Sequence, residues 1–173
     1  MAKPDLSVLK IVATGIPIPA VLACRFTDCF QNSRVFDFLG TIETSHLLSK
    51  TVPAVPAGTA TIYSLMAVDL SYREIANAVL GEKLRDLNAI AILLMEDGKT
   101  FSPKQSEYLM TNVPQIYGAL RLPGATCLSF VHDQESVSVL ACSRGLDERL
   151  RVGILSVHAA TRWGHGPLVL VRT

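Results

Sequence analysis

Two helix starts interrupt the apolar runs between Thr59 and His132, and their spacing limits the folds open to this chain. Ser71-Tyr-Arg-Glu74 has the form of a capping box, in which the serine side chain accepts from the N3 amide and the glutamate reaches back. Ser102-Pro-Lys-Gln105 repeats the pattern, with Pro103 at the first helical position, where its missing amide is not needed. Around these starts, residues 59–69, 89–95 and 126–132 are apolar and read as strands. The predicted order is strand 59–69, helix 71–86, strand 89–95, helix 103–121 and strand 126–132. Pro114 falls within the helical stripe Leu109, Val113, Ile116 and Leu120, and it must kink or split that helix. Crossovers of this length, each carrying a helix, favour parallel neighbours. Two β-α-β units are therefore expected.

The flanking regions add smaller pieces. Leu6–Ala13 is a β-branched apolar run and reads as a first strand. Gly15-Ile-Pro-Ile-Pro19 cannot be a regular central strand, because two prolines remove two amide donors; an extended connector is expected there. Residues 20–33 are ambiguous, with room for a short helix. Arg34–Glu43 alternates loosely and reads as a strand. Thr51–Gly58, with two prolines and a glycine, reads as a loop. Residues 126–132 and 136–142 form a hairpin, Leu146–Ala160 fits helix and strand equally, and Pro167–Arg172 closes as a strand. The expected fold is one globular α/β (or α+β) domain over 1–173, with a mixed, largely parallel sheet, two β-α-β crossovers and a C-terminal antiparallel hairpin.

The hairpin permits a register. A turn centred on Gln134-Glu135 sets Leu128 against Ala141, Phe130 against Val139 and His132 against Val137, all on one apolar side. The other side then pairs Cys127 with Cys142, Ser129 with Leu140 and Val131 with Ser138. Gln-Glu lacks the Asn-Gly chemistry of favoured two-residue turns, so the turn is the weak point.

Composition bears on function. Hydrophobic residues make up 49% of the chain and charged residues 18%, against roughly 25% charge in an average domain. Mean hydropathy is +0.34. A sheet covered on both faces explains part of this excess, and a subunit interface would explain the remainder. A self-associating, non-catalytic assembly or partner-binding domain, present as a homo-oligomer, is the leading expectation. A net charge of +1 and 6% aromatic residues argue against nucleic-acid binding. No apolar run reaches the ~18–20 residues that span a bilayer. The first residues lack the continuous apolar stretch of a signal peptide, and the four cysteines are too scattered for a disulfide scaffold. Both point to a reducing, cytoplasmic setting.

Chemistry enters as an alternative. In the expected parallel order, Asp69, the pair Glu96 and Asp97, and the pair His132 and Asp133 all lie at strand carboxyl ends, the edge where α/β sheets bind ligands. Asp69, Asp97 and Asp133 are the candidate catalytic groups of a small acid/base or metal-assisted enzyme acting on a phosphorylated small molecule. Asp69 and Asp97 are its candidate Mg²⁺ ligands. Glu96 and His132, with Trp163 and His165 from the glycine-flanked Trp163-Gly-His-Gly-Pro167 loop, are candidate ligand contacts. A sensor binding a small molecule in the same crevice is the third option. The ordinary explanation competes with all of these, since Asp favours any turn after a strand by satisfying local amides. Cys127 and His132 point to opposite faces of one strand, which disfavours a dyad. Cysteine and histidine spacings fall outside the common zinc patterns, and the usual nucleotide and serine-hydrolase fingerprints are absent.

Overall fold

The computed structural model describes residues 3–39, 50–66, 69–122, 124–157, 161–164 and 166–173. Among these, seven strands build one mixed sheet: β1 (Leu9–Ile18), β3 (Phe36–Leu39), β5 (Gly58–Leu65), β7 (Thr126–His132), β8 (Val137–Arg144), β9 (Leu150–Ser156) and β11 (Leu168–Arg172), in the order β1-β5-β11-β7-β8-β9-β3. Two short ladders accompany it, β2 (Cys24–Arg25) with β4 (Thr51–Val52), and β6 (Leu70–Ser71) with β10 (Arg162–Trp163). Four helices follow one another between β6 and β7: α1 (Tyr72–Leu80), α2 (Leu87–Glu96), α3 (Pro103–Asn112) and α4 (Pro114–Ala119).

The helices split between the two faces of the sheet. Ile75, Val79 and Leu80 of α1 and Ile90 and Leu94 of α2 pack on Tyr63, Leu65, Leu128, Phe130, Val139, Val169 and Val171. Leu109 and Met110 of α3 and Ile116 of α4 pack on the opposite face with Ile62, Cys127, Val131, Leu140, Val152 and Leu170. Alternate residues of each central strand thus feed two separate cores, which is why these strands carry almost no polar side.

Both helices start where the sequence places them, the first with a complete capping box and the second with only its glutamine half. Ser71 Oγ accepts from the Glu74 amide at 3.3 Å, and Glu74 Oε2 accepts from the Ser71 amide at 2.7 Å. Helix α1 stops at Leu80, short of residue 86, because Gly81 takes φ +68° and the Lys3 carbonyl oxygen fills the space where a Cβ would stand. Only glycine fits there. At the second start, the Ser102 amide donates to Gln105 Oε1 at 3.3 Å. Pro114 splits that helix in two, with Val113 extended between the halves at φ −101°.

Three expectations fail. The run 89–95 is not a strand; it lies within α2. Asp86 caps this helix by accepting from the Asn88 amide at 3.0 Å, and the Ala, Leu and Met content favours helix once a cap is present. The β-α-β units therefore do not form as drawn, and β11 lies between β5 and β7. Nor is the sheet largely parallel. Only the β11–β7 and β9–β3 neighbours run parallel, and the other four contacts are antiparallel. Finally, the connector at residues 15–19 is mostly strand. Strand β1 continues to Ile18, and Pro17 is tolerated because β1 is an edge. Its register jumps between Ile11 and Ala13 and again between Ala13 and Ile16, with Gly15 at φ +68°.

The hairpin adopts the expected register pair for pair, with Cys127 opposite Cys142 and His132 opposite Val137. Residues 150–156 of the undecided segment are strand β9. What secures the Gln134-Glu135 turn is Asp133. Its Oδ1 accepts from the Glu135 amide at 2.6 Å and the Ser136 amide at 2.8 Å, and its Oδ2 accepts from Ser136 Oγ at 3.0 Å. The side chain supplies the order that an Asn-Gly pair would otherwise provide. Asp133→Ala removes three hydrogen bonds to a buried carboxylate and should lower stability by about 2 kcal/mol in denaturant unfolding. A midpoint equal to that of the unaltered chain would refute this role for Asp133.

Candidate functional site

Strand direction decides which candidate residues meet. Because β5 and β11 are antiparallel while β11 and β7 are parallel, β5 and β7 end at opposite edges of the sheet. Asp69 follows β5 and Asp133 follows β7, so these two carboxylates are not brought together. Among the described residues, no three of His, Cys, Asp and Glu are grouped closely enough to hold a metal ion. The expected gathering of Asp69, Asp97 and Asp133 at one edge is corrected accordingly, and with it the sharing of Mg²⁺ by Asp69 and Asp97 as first framed.

At the first edge, Asp69 turns the chain at φ +60° and is exposed. Arg162 Nε donates to Asp69 Oδ1 at 2.6 Å, its Nη2 donates to the Asp69 carbonyl, and Nη2 lies 3.4 Å from Glu74 Oε2. This fork ties β10 to β6, where Arg162 pairs with Ser71 and Trp163 with Leu70. Trp163 stands beside Asp69 as a packing residue, its ring tilted 50° to Tyr72 with centroids 6.1 Å apart. Burial pushes the Tyr72 phenol up, and the Trp163 and Thr161 side chains draw it partly back. Neither reaches good hydrogen-bond geometry, so Tyr72 Oη and Trp163 Nε1 are buried without a bond among the described residues. His165 lies outside the described residues.

At the second edge, His132, Asp133 and the Glu96–Asp97 turn share one neighbourhood. Thr100, which follows that turn, has its Oγ1 2.8 Å from His132 Nδ1. Asp97 closes α2, its amide donating to the Leu93 carbonyl at 2.9 Å, and Glu96 is exposed. Arg172 closes the neighbourhood, with Nη2 donating to the Pro56 carbonyl at 3.0 Å. Its Nη1 lies 3.8 Å from where a Cβ of Gly98 would stand.

The carboxylate and the imidazole here are already engaged. Burial pushes the Asp133 carboxyl up, but the Glu135 and Ser136 amides, the Ser136 hydroxyl and Lys50 outweigh it and hold it below its ordinary value. Lys50 Nζ sits 3.5 Å from Asp133 Oδ2. Both Asp133 oxygens serve the turn. Burial pushes His132 down from 6.5, Asp133 pulls it back up, and Arg172 pushes it down again. A neutral imidazole bonded to Thr100 results near pH 7. No spacing in the sequence ties Arg162, Arg172 and Thr100 to their partners; only the fold does.

No family model matches this chain, and no curated protein or solved structure is significantly similar to it.

The His132 environment has a sign that can be measured. With the folded value depressed, the unfolded chain binds a proton that the folded chain refuses, so stability should fall as pH drops below about 6.5 and level off below the folded value. His132→Asn should flatten that slope in unfolding curves taken from pH 7.5 to 5. An unchanged slope in the variant would mean that the dependence arises elsewhere.

Proposed function

We propose that this chain is a self-associating domain that acts by assembly and not by catalysis, with the free edge of β1 as its contact surface. One observation carries the reading. Strand β1 is a sheet edge whose surroundings are apolar and open to solvent: Leu6 is 61% exposed, Ile11 49%, Val12 49% and Met66 42%. A shallow groove of about 390 Å³ runs along it, lined by Leu6, Ser7, Leu9, Lys10, Ile11 and Met66.

An edge strand offers unpaired amides and carbonyls, and folded proteins ordinarily blunt such edges with charge, proline or bulges. Here the second half of β1 is blunted, by Pro17 and by the bulge around Gly15. The first half, Leu9–Ala13, carries Lys10 as its only charge. A second copy laid antiparallel across a two-fold axis would set Ile11 and Val12 near their own counterparts, the isologous contact of a symmetric dimer. The low charge content of the chain fits this use of surface. Helix α2 adds to it, since Ile92 is 51% exposed and no charged residue lies between Asp86 and Glu96.

Sedimentation equilibrium at micromolar concentration should report a mass above the 18.7 kDa protomer. Val12→Lys, which places a charge on the open edge without touching either core, should shift the mass toward the protomer while leaving the unfolding midpoint of the isolated chain within about 0.5 kcal/mol. A single protomer mass across the concentration range would remove the proposal.

A further inference from the structure

We propose that Cys24 and Cys29 form a redox-responsive dithiol, closing to a disulfide in the presence of a hydroperoxide oxidant. This inference is independent of assembly through β1. The two sulfurs lie 4.0 Å apart, within reach of the ~2 Å disulfide bond after a small side-chain rotation. All four cysteines are free thiols. The intervening turn is already folded by its own bonds: Asp28 Oδ2 accepts from the Arg25 amide at 2.9 Å, and the Cys29 amide donates to the Phe26 carbonyl at 3.1 Å. The turn thus holds the two sulfurs near each other before oxidation.

The two thiols differ in access. Cys24 sits in β2 and is half-buried, whereas Cys29 is 2% exposed and its thiol points to the Arg25 carbonyl at 3.7 Å. Cys24 meets the oxidant and Cys29 resolves. In the first step the Cys24 thiolate attacks one peroxide oxygen, the O–O bond breaks, and hydroxide leaves Cys24 as a sulfenic acid. In the second, Cys29 sulfur attacks Cys24 sulfur, the S–O bond breaks, and the hydroxyl leaves with the Cys29 proton as water. Overall two thiols and one hydrogen peroxide give one disulfide and two waters.

The cross-strand pair Cys127–Cys142 is the natural competitor, and it is closed off. Both residues are 0% exposed, beneath α3 and α4. With no surface open to solvent, neither thiol meets the peroxide first; burial pushes both up, as it does Cys29, which acts only as the resolving thiol.

The disulfide would act on a defined part of the fold. Next to Cys29, Phe30 stands at φ +57°, donates its amide to Glu107 Oε2 on α3 at 2.6 Å, and packs its ring on Phe36 and Phe38 at 5.1 and 5.8 Å. On the other side, Cys24 pairs with Val52 of β4. Oxidation would clamp the β2–β4 ladder to the segment seated on α3.

The test uses the full chain and hydrogen peroxide. Trypsin cuts after Arg25 and Arg34, so the Cys24 and Cys29 peptides, Ile11–Arg25 and Phe26–Arg34, separate unless the disulfide joins them. Cys127 and Cys142 share one tryptic peptide, Leu122–Arg144. After brief oxidation, the joined Ile11–Arg25/Phe26–Arg34 species should dominate, reversibly with dithiothreitol, while Leu122–Arg144 retains both thiols. Cys24→Ser should abolish the joined species and Cys127→Ser should leave it. Two results would overturn the proposal in the unaltered chain alone: a disulfide within Leu122–Arg144 forming first, or stable oxygen addition at Cys24 with no link to Cys29.

Discussion

The central strands of the sheet are buried on both faces, and the rest of the chain is arranged around that demand. Leu128 and Phe130 of β7 pack under α1 and α2, while Cys127 and Val131 of the same strand pack under α3 and α4. Four helices are needed to provide that cover, and all four are inserted between β6 and β7. Burying each large apolar side chain contributes about 1.5–3 kcal/mol, so the two cores together supply most of the favourable free energy of folding. Some of the polar groups that do enter are bonded, while Ser102 Oγ, like Tyr72 Oη and Trp163 Nε1, is buried without a partner among the described residues. Ser106 and Ser129 meet at 3.1 Å beneath α3, and Gln105 donates to the carbonyls of Pro19 and Pro56 at 3.0 and 3.2 Å.

The parts legible in the sequence were those fixed by local chemistry. Ser71 with Glu74, the break at Pro114, and the hairpin register were all readable, because each depends on residues a few positions apart. The β7–β8 register followed from burial alone: a slip of one residue would have turned Leu128 and Phe130 away from their core. The run Ala89–Met95 reads as a strand yet folds as helix for a physical reason. Its residues are apolar all round, so it carries neither the period of a strand nor that of a helix, and only the Asp86 cap distinguishes the two. Strand order was invisible. Nothing local announces that Leu168–Arg172 inserts between Gly58–Leu65 and Thr126–His132, and the placement of the candidate carboxylates depended on that order.

The candidate residues themselves show how turn chemistry imitates catalytic chemistry. Asp69, Asp97 and Asp133 all follow or end a regular element, as catalytic carboxylates of α/β enzymes do. In this fold Asp69 is held by Arg162, Asp97 closes a helix, and Asp133 satisfies two amides and a hydroxyl. Each has a task in the backbone around it. His132 is similar, its Nδ1 taken up by Thr100. These groups hold loops in place at opposite edges of the sheet.

The place of β11 has a further effect, on the order in which the molecule comes into being. It follows every other strand in the sequence, yet it joins β5 on one side to β7 on the other. A growing chain that has reached only Gly166 holds two half-sheets, β1-β5 and β7-β8-β9-β3, each with a raw inner edge. Neither half is closed until Leu168–Arg172 emerges and joins both at once. For that interval the nascent protein exposes the edges most prone to pairing with other chains, and its solubility during synthesis rests on how quickly five residues find their slot.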